Sequence, residues 1–344
     1  MAVTFSAALV VVVLAALVAG PLIEPSRLAR VTVARGPIVA QTDSQIVDIN
    51  TTLEGGEGAA AGTGMVLTSS GVVLTNNHVI EQATSIQAVD LGNGRTYRAR
   101  VLGYDERRDI AVLQLVGASA LRTVKLGDSK NVLVGARVVT VGNAGGIGGE
   151  PAARSGTVLA IDRAIEVAND FDHSVEHLSQ LIQFHGDLQP GDSGGPMVDA
   201  AGAVIGMDTA ASTRFEFSGR TTGQGFAIEI DALTPIAHRI LAGRGSRTIH
   251  IGPTAFIGVE VQPSARHPDG ARVAGVISGT PAATAGLGAD DVIVALAGRR
   301  ITSNTSLTDA LVPYRPGSRV SLRWREPGGR EHTARITLGT GPAA

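Results

Sequence analysis

An all-β architecture, barrel or sandwich, is what this 344-residue sequence predicts. Its apolar runs are short and rich in β-branched residues. They are separated by Gly, Asn and Asp at intervals of about 8–12 residues. Aromatic residues make up only 3% of the chain and glycines number 44, so the core is expected to be built from Val, Ile, Leu and Ala between many turns.

From Gln45 the strand candidates follow one another closely. They are "GTGMVLTSSGVVLTNNHVI", "RARVLGYDERRDIAVLQL", "VGARVVTVGN", "SGTVLAID" and "AGAVIGMDTA". The best helical pattern is "EIDALTPIAHRILAG", Glu229 to Gly243. A basic, Gly-containing stretch at 243–254 reads as a linker. Beyond it, residues 255–340 form a separate strand-rich unit with a short helix signal, "TPAATAGL". At the other end, residues 1–23 carry no charge and are long enough to span a bilayer as a helix. They are expected to be a membrane anchor or an uncleaved signal segment, followed by a linker over 24–44.

Net charge is −2, so no global field draws the chain to nucleic acid or anionic lipid. The absence of cysteine removes disulfides, thiol catalysis and cysteine-ligated zinc together.

Three side chains carry the chemistry. His78 ends the strand pattern "VVLTNNHVI", where a base is held by the scaffold yet open to a cleft. Asp109 opens the apolar strand "DIAVLQL", where a buried carboxylate can orient an imidazole and stabilise its protonated form. Ser193 lies in "LQPGDSGGPMV", and Gly191 and Gly194 allow backbone angles that other residues resist. That freedom lets the N–H groups of Gly191 and Ser193 converge as an oxyanion hole. Singly, each residue is ordinary: a turn serine, a surface histidine, a strand-start cap. Together, their His, Asp, Ser order is the chymotrypsin order and agrees with an all-β fold.

With these motifs on the page, "TNNHVI", "DIAVLQL", "LQPGDSGGPMV" and "QGFAIEI" resemble the HtrA/DegP-type serine proteases of the trypsin superfamily. The likeness extends to the mycobacterial PepA-type secreted members, which share "PGDSGGP". The resemblance covers about residues 45–340. It implies a two-barrel chymotrypsin-like protease domain over 45–242 with His78 as base, Asp109 as orienter and Ser193 as nucleophile. It also implies peptide hydrolysis through an acyl-enzyme with neither metal nor cofactor, in the cell envelope as a membrane-anchored or secreted enzyme. "FIGVEV" and "GTPAATAGLGADDVIVALAG" resemble the carboxylate loop and following helix and strand of a small α+β PDZ domain over 255–340. On that likeness the N–H groups of Ile257, Gly258 and Val259 receive a peptide's C-terminal carboxylate, and the peptide adds as a strand. The expected partners are unfolded or C-terminally exposed protein substrates and, through the N-terminal segment, a membrane. Nucleic acid is not among them, and homo-oligomerisation is left open. A catalytically silent peptide-binding chaperone or sensor is the alternative reading.

The sequence departs from the family pattern in two places. Asp192 stands before the nucleophile where family members usually carry Asn. Digestive trypsin-like enzymes also have an acid there, paired with an N-terminus freed by zymogen cleavage. No activation site is evident here, so Asp192 either has another partner or sits in water. His185 stands where the family generally has Asp, while Asp187 falls six residues before Ser193, the place that sets P1 preference in trypsin. Asp187 could therefore favour Arg or Lys at P1. The family likeness instead favours a pocket shaped by Leu188 that takes small aliphatic residues.

Two further patterns carry less. "HSVEH", His173 to His177, fits H-x-x-E-H, but zinc chemistry needs a helix there and the surroundings read as a loop between strands. "VGNAGGIGG", Val141 to Gly149, lacks the register and the lysine of a nucleotide loop.

Overall fold

In a computed structural model, residues 36–53, 59–168, 175–186, 188–209, 223–262 and 270–342 are described. A short helix α1 (Pro37–Asp43) leads into six strands: β1 (Ile46–Leu53), β2 (Ala59–Val66), β3 (Val72–Thr75), β4 (Ala83–Asp90), β5 (Thr96–Asp105) and β6 (Ile110–Leu115). They pair in the cyclic order β1-β2-β3-β6-β5-β4, and β4 returns to β1, closing a first barrel. A second closed barrel takes the order β10-β11-β12-β9-β8-β7. Its strands are β7 (Arg137–Gly142), β8 (Ala152–Ala168), β9 (Val175–His185), β10 (Pro196–Val198), β11 (Val204–Thr209) and β12 (Gln224–Glu229).

Continuous apolar runs in the sequence reflect burial on both strand faces. In β1, Ile46, Val47, Asp48 and Ile49 are all buried. Val47 and Ile49 join Val66, Val73, Ala111 and Leu113 in one core. The second barrel closes around Val138, Val158, Ile182, Phe184, Met197 and Ala227. A third cluster draws Met65, Leu74, Ile110 and Val112 from the first barrel and Leu181, Val204 and Met207 from the second. This apolar seam fixes how the barrels meet, and with that any site made from both.

Helix α2 (Ile230–Leu241) lays Leu233, Ala237 and Ile240 on that seam, matching the predicted helix. The stretch read as a linker is structured. Its residues Ile249–Ile251 form β13, which adds antiparallel to β5 and buries His250. Linker composition did not reveal the strand because only three residues alternate.

The C-terminal unit contains the strands β14 (Ala255–Phe256), β15 (Val259–Val261), β16 (Ala271–Val276), β17 (Val292–Leu296), β18 (Arg299–Arg300), β19 (Arg319–Arg325), β20 (Glu331–Thr337) and β21 (Gly339–Thr340), with helices α3 (Pro281–Ala285) and α4 (Asn304–Leu311). Its main sheet runs β15-β16-β17-β19-β20, so β15 is an edge. Ile293, Leu296, Leu307, Leu322 and Trp324 fill its core.

Among the described residues no helix is long and apolar enough to cross a membrane. The apolar segment 1–23 lies outside those residues.

Candidate active site

His78 follows β3 at the seam between the barrels, and its side chain is 34% exposed. Asp109 sits at the end of the one-turn helix Glu106–Arg108, immediately before β6, with φ +48°. Aspartate tolerates this left-handed backbone better than bulkier residues. The turn brings its carboxylate to the end of β3. There Nδ1 of His78 lies 2.9 Å from Oδ2 and 3.0 Å from Oδ1, and the His78 backbone N–H donates to Oδ1 at 3.1 Å. Asn76 donates through Nδ2 to the Asp109 carbonyl, and Thr209 through its hydroxyl to Oδ2 at 3.3 Å. The carboxylate side chain is only 3% exposed. A buried charge held by several donors and one imidazole stays fixed in direction.

Ser193, also buried, lies on the loop between β9 and β10, and that loop is pinned from both barrels. The backbone N–H of Thr63, in β2, donates to the Ser193 carbonyl at 2.8 Å, and the Thr63 hydroxyl donates to the Gly191 carbonyl at 2.8 Å. Gly194 N–H donates to the carbonyl of Asp208, next to Thr209. A Cβ placed on Gly62 would touch both Val79, beside His78, and the Ser193 carbonyl. The segment after His78, the serine loop and the threonine that bonds Asp109 are thus tied to one another across the two barrels.

Glycine is required at two points of the loop. Gly191 has φ +97°, and a Cβ there would strike the Asn143 carbonyl. Gly194 has φ +84°, and a Cβ there would strike the Thr63 carbonyl and the Thr75 hydroxyl.

Asp192 finds a partner the sequence did not name. Arg154 on β8 donates from Nη1 to its Oδ2 at 2.6 Å, and the Gln189 N–H donates to the same oxygen at 2.8 Å. Burial pushes the Asp192 carboxyl up, while Gln189 and Arg154 pull it back. Asp208, on β11, is completely buried. Burial first and the charge of Asp192 second hold its carboxyl well above the usual range, against the pull of Arg154.

Of the specificity residues, Asp187 lies outside the described residues. Leu188 packs against the second-barrel core. A Cβ on Gly225 would meet the Phe184 ring and lie 3.1 Å from Leu188 Cγ, so these apolar groups fill the space beside the loop.

In the C-terminal unit Ile257 is buried and Gly258 takes φ +84° against Thr280. Val259 starts the edge strand β15. Asn304, the first residue of α4, donates to the carbonyl of Gln262 just past that strand. This bond ties the start of α4 to the end of the edge strand.

His177 of the H-x-x-E-H pattern lies on strand β9, with Nδ1 3.4 Å from Glu166 Oε1. The described part of the pattern, residues 175–177, is therefore strand rather than the loop expected from the sequence or the helix that zinc chemistry needs. His173 falls outside the described residues.

Residues 62–207 match the trypsin-like peptidase domain and residues 255–338 the PDZ domain. The chain is 29% identical over 315 residues to serine protease PepD of Mycobacterium tuberculosis, covering 88% of this chain and 65% of that protein. It is 32% identical over 295 residues to a probable periplasmic serine endoprotease DegP-like of Halomonas elongata, covering 83% of this chain and 58% of that one. The chain thus spans under two thirds of the length of either relative. Among solved structures it resembles HtrA-type protease AlgW with tripeptide, at TM-score 0.51 and 27% identity, covering 89% of this chain and 97% of that one. The chain carries a trypsin-like peptidase domain followed by a PDZ domain and is similar along most of its length to the HtrA/DegP-type serine proteases.

Proposed function

We propose that the chain is an extracytoplasmic serine endopeptidase whose PDZ domain engages the C-termini of protein substrates. The observation that carries this reading is the bidentate approach of His78 Nδ1 to the buried Asp109 carboxylate at 2.9 and 3.0 Å. With Nδ1–H engaged by the carboxylate, the lone pair resides on Nε2, the nitrogen that takes a proton from the Ser193 hydroxyl. The Ser193 Oγ attacks the scissile carbonyl and an acyl-enzyme forms. His78 returns the proton to the leaving amine, and water then repeats the sequence in reverse roles. Asp109 stabilises the imidazolium without itself taking the proton. The N–H groups of Gly191 and Ser193 receive the oxyanion, each donor contributing on the order of 3 kcal/mol. An apolar P1 site beside Leu188 would take small aliphatic side chains.

At the C-terminal domain, β15 offers a sheet edge to which a peptide can add as a strand, with its terminal carboxylate at Ile257, Gly258 and Val259. The periplasmic description of the Halomonas relative supports an envelope location. The uncharged segment 1–23 supports a membrane tether there.

Turnover of an unfolded protein and of a Val-P1 peptide tests the reading. Ser193→Ala and His78→Ala are expected to abolish both while leaving peptide binding intact. Binding without turnover in the unaltered chain would favour the silent chaperone instead.

A further inference from the structure

We propose that Arg154 is a positioning residue for the oxyanion hole: its guanidinium holds Asp192, and through it the 191–193 loop, doing internally what a freed N-terminus does in zymogen-derived enzymes. This rests on the proposed peptidase activity.

The geometry carries the case. Asp192 stands between the two residues whose N–H groups face the oxyanion, and its side chain is only 1% exposed. Among the described residues, Arg154 at 2.6 Å is its one cationic partner. The same Oδ2 accepts the Gln189 N–H, and Asp192 N–H donates to the Gln189 carbonyl, so the turn 189–192 is wound around this carboxylate. Gly142 on β7 makes the room, because a Cβ there would lie against Asp192. Arg154 reaches the carboxylate from β8, opposite Thr140 of β7, so its backbone belongs to the barrel wall rather than to a loop. The loop's flanks are fixed by Thr63 and by the Asp208 carbonyl, which leaves Asp192 as the pin in the middle.

Charge is balanced. Three ionisable groups meet here: Arg154, Asp192 and, on β11, Asp208. Burial and the charge of Asp192 raise the Asp208 carboxyl well above the usual range, so the guanidinium of Arg154 is shared chiefly with Asp192, the carboxylate it contacts. Without Arg154, Asp192 would lose the charge that draws it down and would take up a proton at higher pH. The middle of the loop would then lose its anchor while His78 and Asp109 stay in place.

The test measures kcat and KM of the full chain from pH 5 to 9, with thermal unfolding alongside. Arg154→Met is expected to lower kcat about 100-fold, the scale of one lost oxyanion donor, with KM within threefold. Its acidic limb should move to higher pH. Arg154→Lys should recover part of the loss. Arg154→Met combined with Asp192→Asn, a neutral pair, should regain kcat to within tenfold and lose the shift of the limb. Arg154→Met with kcat within threefold of the unaltered chain and an unmoved limb overturns the proposal. So does a well-folded double variant as slow as Arg154→Met. If Arg154→Met alone does not fold, a folded double variant with near-normal kcat supports the role and a slow one overturns it. Amide hydrogen exchange over 189–194 gives a readout free of turnover. Faster exchange in Arg154→Met, reversed in the double variant, supports the role even if the unaltered chain proves inactive, an outcome that would overturn the peptidase reading alone. Unchanged exchange overturns the role of Arg154.

Discussion

The hydroxyl of Thr209 donates to Oδ2 of Asp109 across 3.3 Å, joining the end of β11 in the second barrel to the start of β6 in the first. The carboxylate that receives it also faces His78 Nδ1, so each barrel contributes to the orientation of one imidazole.

Thr209→Val should therefore lower kcat about tenfold with KM unchanged, since a buried carboxylate loses one of its donors, worth about 1–1.5 kcal/mol. Asp109→Asn should cost far more, about 10⁴-fold, because the imidazole tautomer changes. Steady-state kinetics on one peptide substrate compares the two. Equal losses would deny Thr209 the graded, supporting role.

Asp48 sets a pH dependence of stability. Burial raises its carboxyl to about 6, and Oδ1 has no hydrogen-bond partner among the described residues. The group binds its proton more tightly folded than unfolded. Its contribution is whole below about pH 4 and is lost as pH rises through about 6. Asp48→Asn is thus expected to stabilise the chain by up to about 3 kcal/mol at pH 8 and by little at pH 4. Denaturant unfolding at the two pH values checks this, and an equal difference at both would contradict it.

Much of this was legible in the sequence, and the limits have physical causes. Turn-punctuated β-branched runs announced the barrels, because strand length and turn residues are local. The proposed triad of His78, Asp109 and Ser193 could be put forward from sequence because each sits in a distinctive local context and their chain order is itself a signal. Thr209 was quoted only as part of a strand, since a threonine in "GMDTA" looks like any β-former. Arg154 was missed for a different reason. Its approach to Asp192 depends on the register of β7 against β8, a strand of 17 residues whose pairing with β9 is broken by bulges, and no local pattern encodes that. Asp208 stayed hidden likewise, because burial of a lone acid in an apolar run is decided by the closed barrel around it.

The proposed preference for small aliphatic P1 residues rests on packing. Phe184 and Leu188 occupy the space that a Cβ on Gly225 would enter. Val-P1 peptides are expected to turn over at least tenfold faster, as kcat/KM, than matched Arg-P1 peptides. Faster Arg turnover would instead place the Asp187 carboxylate in the pocket.

Gly258→Ala should weaken peptide capture by the PDZ domain at least tenfold, because φ +84° and the Thr280 side chain leave no place for a methyl group. Fluorescence polarisation with a peptide and its C-terminal amide reads this directly. The amide should already bind poorly to the unaltered domain, and equal affinity for both peptides would refute carboxylate recognition at Ile257–Val259.

The most direct measurement is covalent labelling by a fluorophosphonate, mapped by mass spectrometry of the digested chain. A single adduct on Ser193, absent in Ser193→Ala and slowed at least 100-fold in His78→Ala, is the result expected. An unlabelled Ser193 in a folded chain, or labelling as fast without His78, would contradict a nucleophile activated by that histidine.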